Sequence, residues 1–146
     1  MGIKAFICGV GGLTLTDAER TFVRTEQPWG FILFARNFQS HDQIRRLVDD
    51  ARDAIGSNDA LILIDQEGGR VQRLRPPLGR ALPAAALYGT LYATDPEEAR
   101  RAAFLASRQT AADLRALGIN TNCAPVLDVP VTGSHNVIGN RAYSDS

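Results

Sequence analysis

The chain has 146 residues and a mass of 15.8 kDa, with sixteen Lys+Arg against sixteen Asp+Glu and 45% hydrophobic residues. This composition excludes a disordered tail, a collagen-like repeat and a disulfide scaffold, and zero net charge argues against a dedicated nucleic-acid binder, which carries a basic face. The length allows one domain with a real core, and no apolar run reaches the roughly 18–20 residues that span a bilayer.

In chain order, Ala5–Val10 is a short apolar run closed by Gly-Val-Gly-Gly. Lys4 and the apolar residues after it resemble the start of a signal peptide, but no small-x-small cleavage site follows, so the run reads as a first strand. Thr16 and Glu19 have the spacing of a capping box opening a helix, and Pro28 closes that region. Gly30–Ala35 is a continuous apolar strand, followed by Arg36 and Asn37. Ser40 caps a second helix, with Ile44, Leu47, Val48, Ala51 and Ile55 at helical spacing and Gly56 just past its end. Ala60–Ile64 is a third strand running straight into Asp65. A long Pro/Gly/Arg connection covers Gly68 to about Pro83. Asp95 and Pro96 then open an Ala-rich helix as N-cap and first residue, with acids in its first turn. Gly118 ends it, and a fourth strand follows within Ile119–Val129, interrupted by Pro125. Cys8 and Cys123 lie in apolar strand-like segments, which predicts buried free thiols and a reducing compartment.

Strands apolar on both faces predict a parallel sheet covered by helices. Strand cores are expected near residues 5–9, 31–35, 61–64 and 122–127. Neither Gly-x-Gly-x-x-Gly nor a Gly-Lys-Ser/Thr loop is present, which weakens a nucleotide-binding reading. The α/β pattern then fits the N-terminal half of a TIM-type (β/α)8 barrel, whose complete form takes about 250 residues. Residues 139–146 are neither a helix nor a polar tail, so residues 1–146 are expected to be the N-terminal portion of a single barrel domain, cut off at the C-terminus.

In parallel α/β folds ligands sit at the carboxyl ends of the strands. Three such ends carry polar groups: Arg36-Asn37, Asp65-Gln66-Glu67 and Asp128. Asp65 is the sharpest candidate, because four aliphatic residues precede it and Gly68-Gly69 let the backbone turn close to a ligand. With Arg70 and Arg73 it forms a set of acceptors and forked donors that suits a polyol. The bland alternative is that Asp65 caps the turn and pairs with Arg70 or Arg73. Glu67 reads as a structural ion-pair member and Asp128 as a loop anchor. His41 and His135 read as solvated, and Arg141 is a lone Arg in a Gly loop. No ligand spacing supports a metal site.

Asp65-Gln-Glu-Gly-Gly-Arg-Val-Gln-Arg73 resembles the signature of glycoside hydrolase family 3, in its bacterial β-N-acetylhexosaminidase branch. Trp29–Asn37, Leu82-Pro83-Ala84, Asn122–Val129 and Ile138–Tyr143 resemble further segments of that family, in the right order. The resemblance implies a TIM-type barrel and a retaining exo-glycosidase that removes terminal β-N-acetylglucosamine from muropeptides in cytoplasmic cell-wall recycling. By motif position, Asp65, Arg73 and Arg141 match the family's sugar-binding residues. The implied partner is a small carbohydrate, with no nucleic acid, membrane, metal or organic cofactor.

The family's Lys-His sugar-binding pair, its His-Asp general acid pair and its nucleophilic Asp have no counterpart here, so no catalytic residue is expected in this chain. Two positions depart from the family pattern: Cys123 where an aromatic is usual, and Asn140 where an acid usually precedes the arginine. The competing readings are a β-glucosidase-type family 3 hydrolase and a non-catalytic half-barrel acting as a sugar-binding or assembly module.

Overall fold

The computed structural model describes residues 2–133 and 135–144. The chain divides into two compact units, Met1–Ile64 with Asp113–Asn122, and Asp65–Ala112 with Cys123–Ser146.

The first unit is built on a four-stranded sheet. Its elements begin with β1 (Lys4–Gly9), α1 (Asp17–Glu26), β2 (Pro28–Leu33), α2 (His41–Ile55) and β3 (Leu61–Ile64). Every pairing in the sheet is parallel, as the sequence predicts. Gly30 stands opposite Leu61. A Cβ at Gly30 would lie 2.1 Å from the Leu61 carbonyl oxygen, so only glycine lets β2 and β3 approach at that point. Phe31, Leu33, Ile62 and Ile64 are almost completely buried, as are Ile44, Leu47 and Val48 of α2. Each such side chain contributes about 1.5–3 kcal/mol by leaving water.

The helix ends follow the sequence reading. Thr16 and Glu19 form the capping box of α1, and the Ser40 hydroxyl accepts the Gln43 amide at the start of α2. The Glu19 carboxyl resists its partial burial. Amides of Thr16 and Gly11 and the Thr16 hydroxyl donate to it, and together they hold it below the ordinary carboxylate range. Gly56, with φ of 78°, closes α2 in the left-handed region.

Two strands differ from expectation. β2 runs two to three residues earlier than the apolar run suggests, because Ala35–Asn37 close into a 3₁₀ turn. The fourth sheet strand is only Thr121–Asn122, which pairs with Leu63 and Ile64. Beyond it the chain leaves the ladder, and Pro125 has no amide hydrogen to continue it. Asp128 therefore lies exposed in an irregular segment rather than at a strand end. Both cysteines are free, but Cys8 is half-buried and Cys123 exposed. The expectation of buried thiols fails because β1 is an edge strand of the sheet and Cys123 lies past the end of its strand.

Buried polar side chains fix the loops at the strand ends of this unit. Asn37 has no exposed surface. Its side-chain amide donates to the Val10 and Gly12 carbonyls at 3.1 and 2.7 Å, and its oxygen accepts the Phe34 amide at 2.9 Å. Gln43 reaches from α2 to the Leu13 and Asn37 carbonyls. Arg36 lies over the Phe34 ring and donates to the Val10 carbonyl. The polar pair after β2 is thus part of the framework.

The second unit contains two elements that the sequence reading did not assign. Gln66–Gly68 (β4) and Val71–Gln72 (β5) form an antiparallel hairpin. Ala85–Tyr92 forms helix α3. The long helix α4, Pro96–Arg115, starts as expected, with the Asp95 carboxylate accepting the Glu98 amide at 3.0 Å. With α4 placed, Thr121–Asn122 is β6, and the sheet order in the first unit is β1-β2-β3-β6. No helix among the described residues is long and apolar enough to cross a membrane.

Candidate sugar-binding site

The site is built from the residues that follow β3 and β6. Ile64 pairs with Asn122 in register. Asp65 and Cys123 are the next residues after these two strands, and the Asp65 carboxylate lies close enough to raise the Cys123 thiol pKa. The β4–β5 hairpin turns at Gly68 and Gly69, with φ of 101° and 56°. A Cβ at Gly68 would lie 2.2 Å from the Pro83 carbonyl oxygen, so the turn demands glycine on conformational and steric grounds together.

Two buried glutamines hold this turn in shape. The Gln66 oxygen accepts the amides of Arg73 and Leu74 at 3.1 and 3.0 Å, and its nitrogen donates to the Leu74 carbonyl at 2.8 Å. Gln72 donates to the carbonyls of Leu74 and Arg80 and accepts the Leu82 amide. Both glutamines are 5% exposed, which makes them internal struts and removes them as ligand contacts. Sequence reasoning passed over them. Their signal was two amides on the flanks of a Gly-Gly turn, where irregular backbone needs side-chain partners.

The hairpin and its two flanking residues supply three charged groups, Asp65, Glu67 and Arg73, and the Gly139–Arg141 turn a fourth, and they form two ion pairs. Arg73 donates from Nη2 to Asp65 Oδ2 at 2.7 Å, with the two side chains 31% and 21% exposed. Arg141 forks onto Glu67, Nε to Oε2 at 2.8 Å and Nη2 to Oε1 at 2.7 Å. Glu67 is 9% exposed and Arg141 25%. Glu67 is therefore the ion-pair member that the sequence suggested, and Arg73, rather than Arg70, is the partner of Asp65. The hydrogen bond from Glu67 pushes the Arg141 pKa further above its ordinary value, against some desolvation, with smaller help from Asp128 and Asp65. Asp65, Glu67, Asp128 and Arg141 thus lie within one electrostatic neighbourhood. His135 is exposed in its loop and His41 exposed at the start of α2. Among the described residues, no group of three His, Cys, Asp or Glu could hold a metal ion.

Tyr143 stacks on Tyr88 of α3 with ring centroids 5.9 Å apart. Burial pushes its phenol pKa up, and the Glu67 charge adds to this. Cys123 is exposed as a residue, but partial desolvation of its thiol raises the pKa, with further contributions from Asp65 and Glu67. Alkylation requires the thiolate, so iodoacetamide at pH 8 is expected to modify Cys123 more slowly than free cysteine. Asp65→Asn is expected to speed that reaction. Peptide-resolved mass spectrometry reads both rates, and a wild-type rate equal to that of free cysteine would contradict the assigned environment.

The family model of the glycosyl hydrolase family 3 N-terminal domain matches residues 8–146. A beta-hexosaminidase of Alkalilimnicola ehrlichii is 42% identical over 143 residues, which cover 98% of this chain and 40% of that protein. One of Xanthomonas campestris is 39% identical over 139 residues, covering 95% and 41%. Among solved structures, NagZ from Neisseria gonorrhoeae in complex with N-trifluoroacetyl-D-glucosamine superimposes with a TM-score of 0.89 at 33% identity. That match covers 98% of this chain and 41% of the other. A family 3 beta-N-acetylglucosaminidase from Paenibacillus has a TM-score of 0.79 at 34% identity, covering 94% and 26%. The chain thus spans about 40% of the length of the two beta-hexosaminidases it matches. Its four parallel strands and helices have the architecture of the N-terminal part of a TIM-type barrel. With the Asp65–Arg73 motif, the parallel sheet and the match over residues 8–146 in agreement, the chain belongs to glycosyl hydrolase family 3.

Proposed function

We propose that this chain is the N-terminal portion of one family 3 barrel domain. The complete protein is a retaining β-N-acetylhexosaminidase that removes terminal β-N-acetylglucosamine from peptidoglycan-derived muropeptides in the cytoplasm. The chain's own share is sugar binding. The observation that carries this reading is the pair of ion pairs at the glycine turn: a carboxylate of the turn held by Arg73, and the Arg141 guanidinium held by Glu67 of the turn. Asp65 accepts from sugar hydroxyls while Arg73 keeps its carboxylate oriented. Arg73 and Arg141 donate to sugar oxygens. Arg141 uses its Nε hydrogen and one Nη2 hydrogen on Glu67, which leaves the two Nη1 hydrogens and the other Nη2 hydrogen as donors toward ligand. The beta-hexosaminidase relatives support the amino sugar over a plain glucoside.

The chain holds neither reactive partner of a double displacement. A retaining glycosidase needs a nucleophile and an acid/base flanking the scissile bond, roughly 5–5.5 Å apart. Asp65 and Glu67 lie on one turn, and each is bound to a guanidinium. The 146-residue protein, verified by mass, is expected to bind N-acetylglucosamine without hydrolysing a chromogenic β-N-acetylglucosaminide. Calorimetric titration and the chromogenic assay check the two halves. Turnover abolished by Glu67→Gln would overturn the assignment of roles. For the complete protein, cleavage of a β-glucoside but not of the 2-acetamido substrate would favour the β-glucosidase-type reading.

A further inference from the structure

Arg70 follows Gly69 on the hairpin turn, yet the proposed sugar contacts do not use it. Its side chain points to the segment that carries Arg141. Nη2 donates to the carbonyls of Val137 and Ile138, the latter at 3.1 Å, and Nε donates to Asn140 Oδ1 at 3.3 Å. Its own carbonyl accepts Nη2 of Arg75 at 2.9 Å, which ties the hairpin end down. The Ile138 carbonyl has a second donor, because the Arg141 amide reaches it at 3.0 Å and so closes the Gly139–Arg141 3₁₀ turn. Arg70 therefore grips the carbonyl on which the backbone of Arg141 turns. The hairpin meets this loop twice, through Arg70 on its backbone and through Glu67 on the Arg141 guanidinium.

The surrounding chain makes such a grip necessary. Residues 123–133 and 135–138 contain no helix or strand, and Gly139 has φ of 49°. Val137 is 55% exposed, so little apolar packing holds it. A fork of guanidinium donors can span two carbonyls and a side-chain amide at once, whereas an ammonium is a point charge on a flexible stem.

We propose that Arg70 is the positioning residue of the sugar site, setting the 137–141 loop so that Arg141 is presented with its guanidinium already oriented. Asn140 tunes the grip. As a neutral acceptor at 3.3 Å it holds Arg70 weakly, and a carboxylate there would make the bond charge-assisted and stronger. The sugar-binding half of this inference rests on the function proposed above, while the loop-holding half does not.

The test combines amide hydrogen exchange with calorimetric binding of N-acetylglucosamine, for Arg70→Ala, Arg70→Lys, Asn140→Asp, Arg141→Ala and the Arg70→Ala/Arg141→Ala double variant. Arg70→Ala is expected to speed exchange at the Arg141 and Ala142 amides, both hydrogen-bonded in the turn. It is expected to weaken sugar binding about 3- to 12-fold, the range for losing one net hydrogen bond. Arg70→Lys restores only part of either property, and Asn140→Asp slows exchange. The double variant is expected to bind no more weakly than Arg141→Ala, because Arg70 acts through Arg141. Wild-type exchange in Arg70→Ala overturns the proposal whatever happens to binding. An additive double variant also overturns it, because Arg70 would then touch sugar itself. If Arg141→Ala binds like wild type, the sugar-binding reading fails instead, and the exchange rates still decide whether Arg70 holds the loop.

Discussion

Asp65→Asn is expected to weaken N-acetylglucosamine binding by about 10- to 150-fold. In the proposed role the wild-type carboxylate offers charged acceptors to sugar hydroxyls, and hydrogen bonds to a charged group contribute roughly 1.5–3 kcal/mol. Asparagine preserves size but replaces one oxygen by a donor, so it presents the wrong polarity to a hydroxyl. It also takes the charge away from Arg73, bound at 2.7 Å. Both side chains are partly exposed, so water takes over some of that pairing and the stability cost stays modest. Calorimetric titration and a thermal melt separate the two effects. Unchanged affinity with a lowered melting temperature would make Asp65 a structural residue.

Asn37→Asp is expected to show the opposite pattern, a large stability loss of about 3 kcal/mol or more. Wild-type Nδ2 donates to two carbonyls, at 3.1 and 2.7 Å, from a site with no exposed surface. An aspartate sets a carboxylate oxygen against both carbonyls; the Gly12 carbonyl loses its Asn37 donor, while the Val10 carbonyl keeps only that of Arg36. Each unsatisfied buried group costs roughly 1–3 kcal/mol, and a buried unpaired charge costs more. Asn37→Ala removes the same bonds without adding the charge and is expected to cost less than Asn37→Asp. Urea unfolding of the two variants gives the order. Equal stability of wild type and Asn37→Asp would show that the loop after β1 does not depend on this residue.

These two residues looked alike in the sequence, each polar and each just past an apolar strand. What separated them is what lies around the side chain. Asn37 turns inward to the backbone of Val10 and Gly12, while Asp65 stays part-exposed beside Arg73 and Cys123. Neither environment follows from spacing along the chain, because the partners of Asn37 are 25 and 27 residues away.

The sequence by itself determined the parallel strands, the capped ends of α1, α2 and α4, and the position of the family motif at Asp65–Arg73. Apolar runs, cap residues and glycine turns act over a few neighbouring residues, so they are legible without the fold. Tertiary structure alone decided the pairing of Glu67 with Arg141, 74 residues apart, and the grip of Arg70 on residues 137–140. It also decided where β6 stops, since a two-residue strand exists only by pairing with β3. Helix α3 and the β4–β5 hairpin fall in the same class. Their residues carry weak local preference and take shape from the buried amides of Gln66 and Gln72 and from close backbone packing at Gly68 and Gly89. Long-range hydrogen bonds and close approach join residues that no local pattern relates, which is why the motif was legible in the sequence and its scaffolding was not.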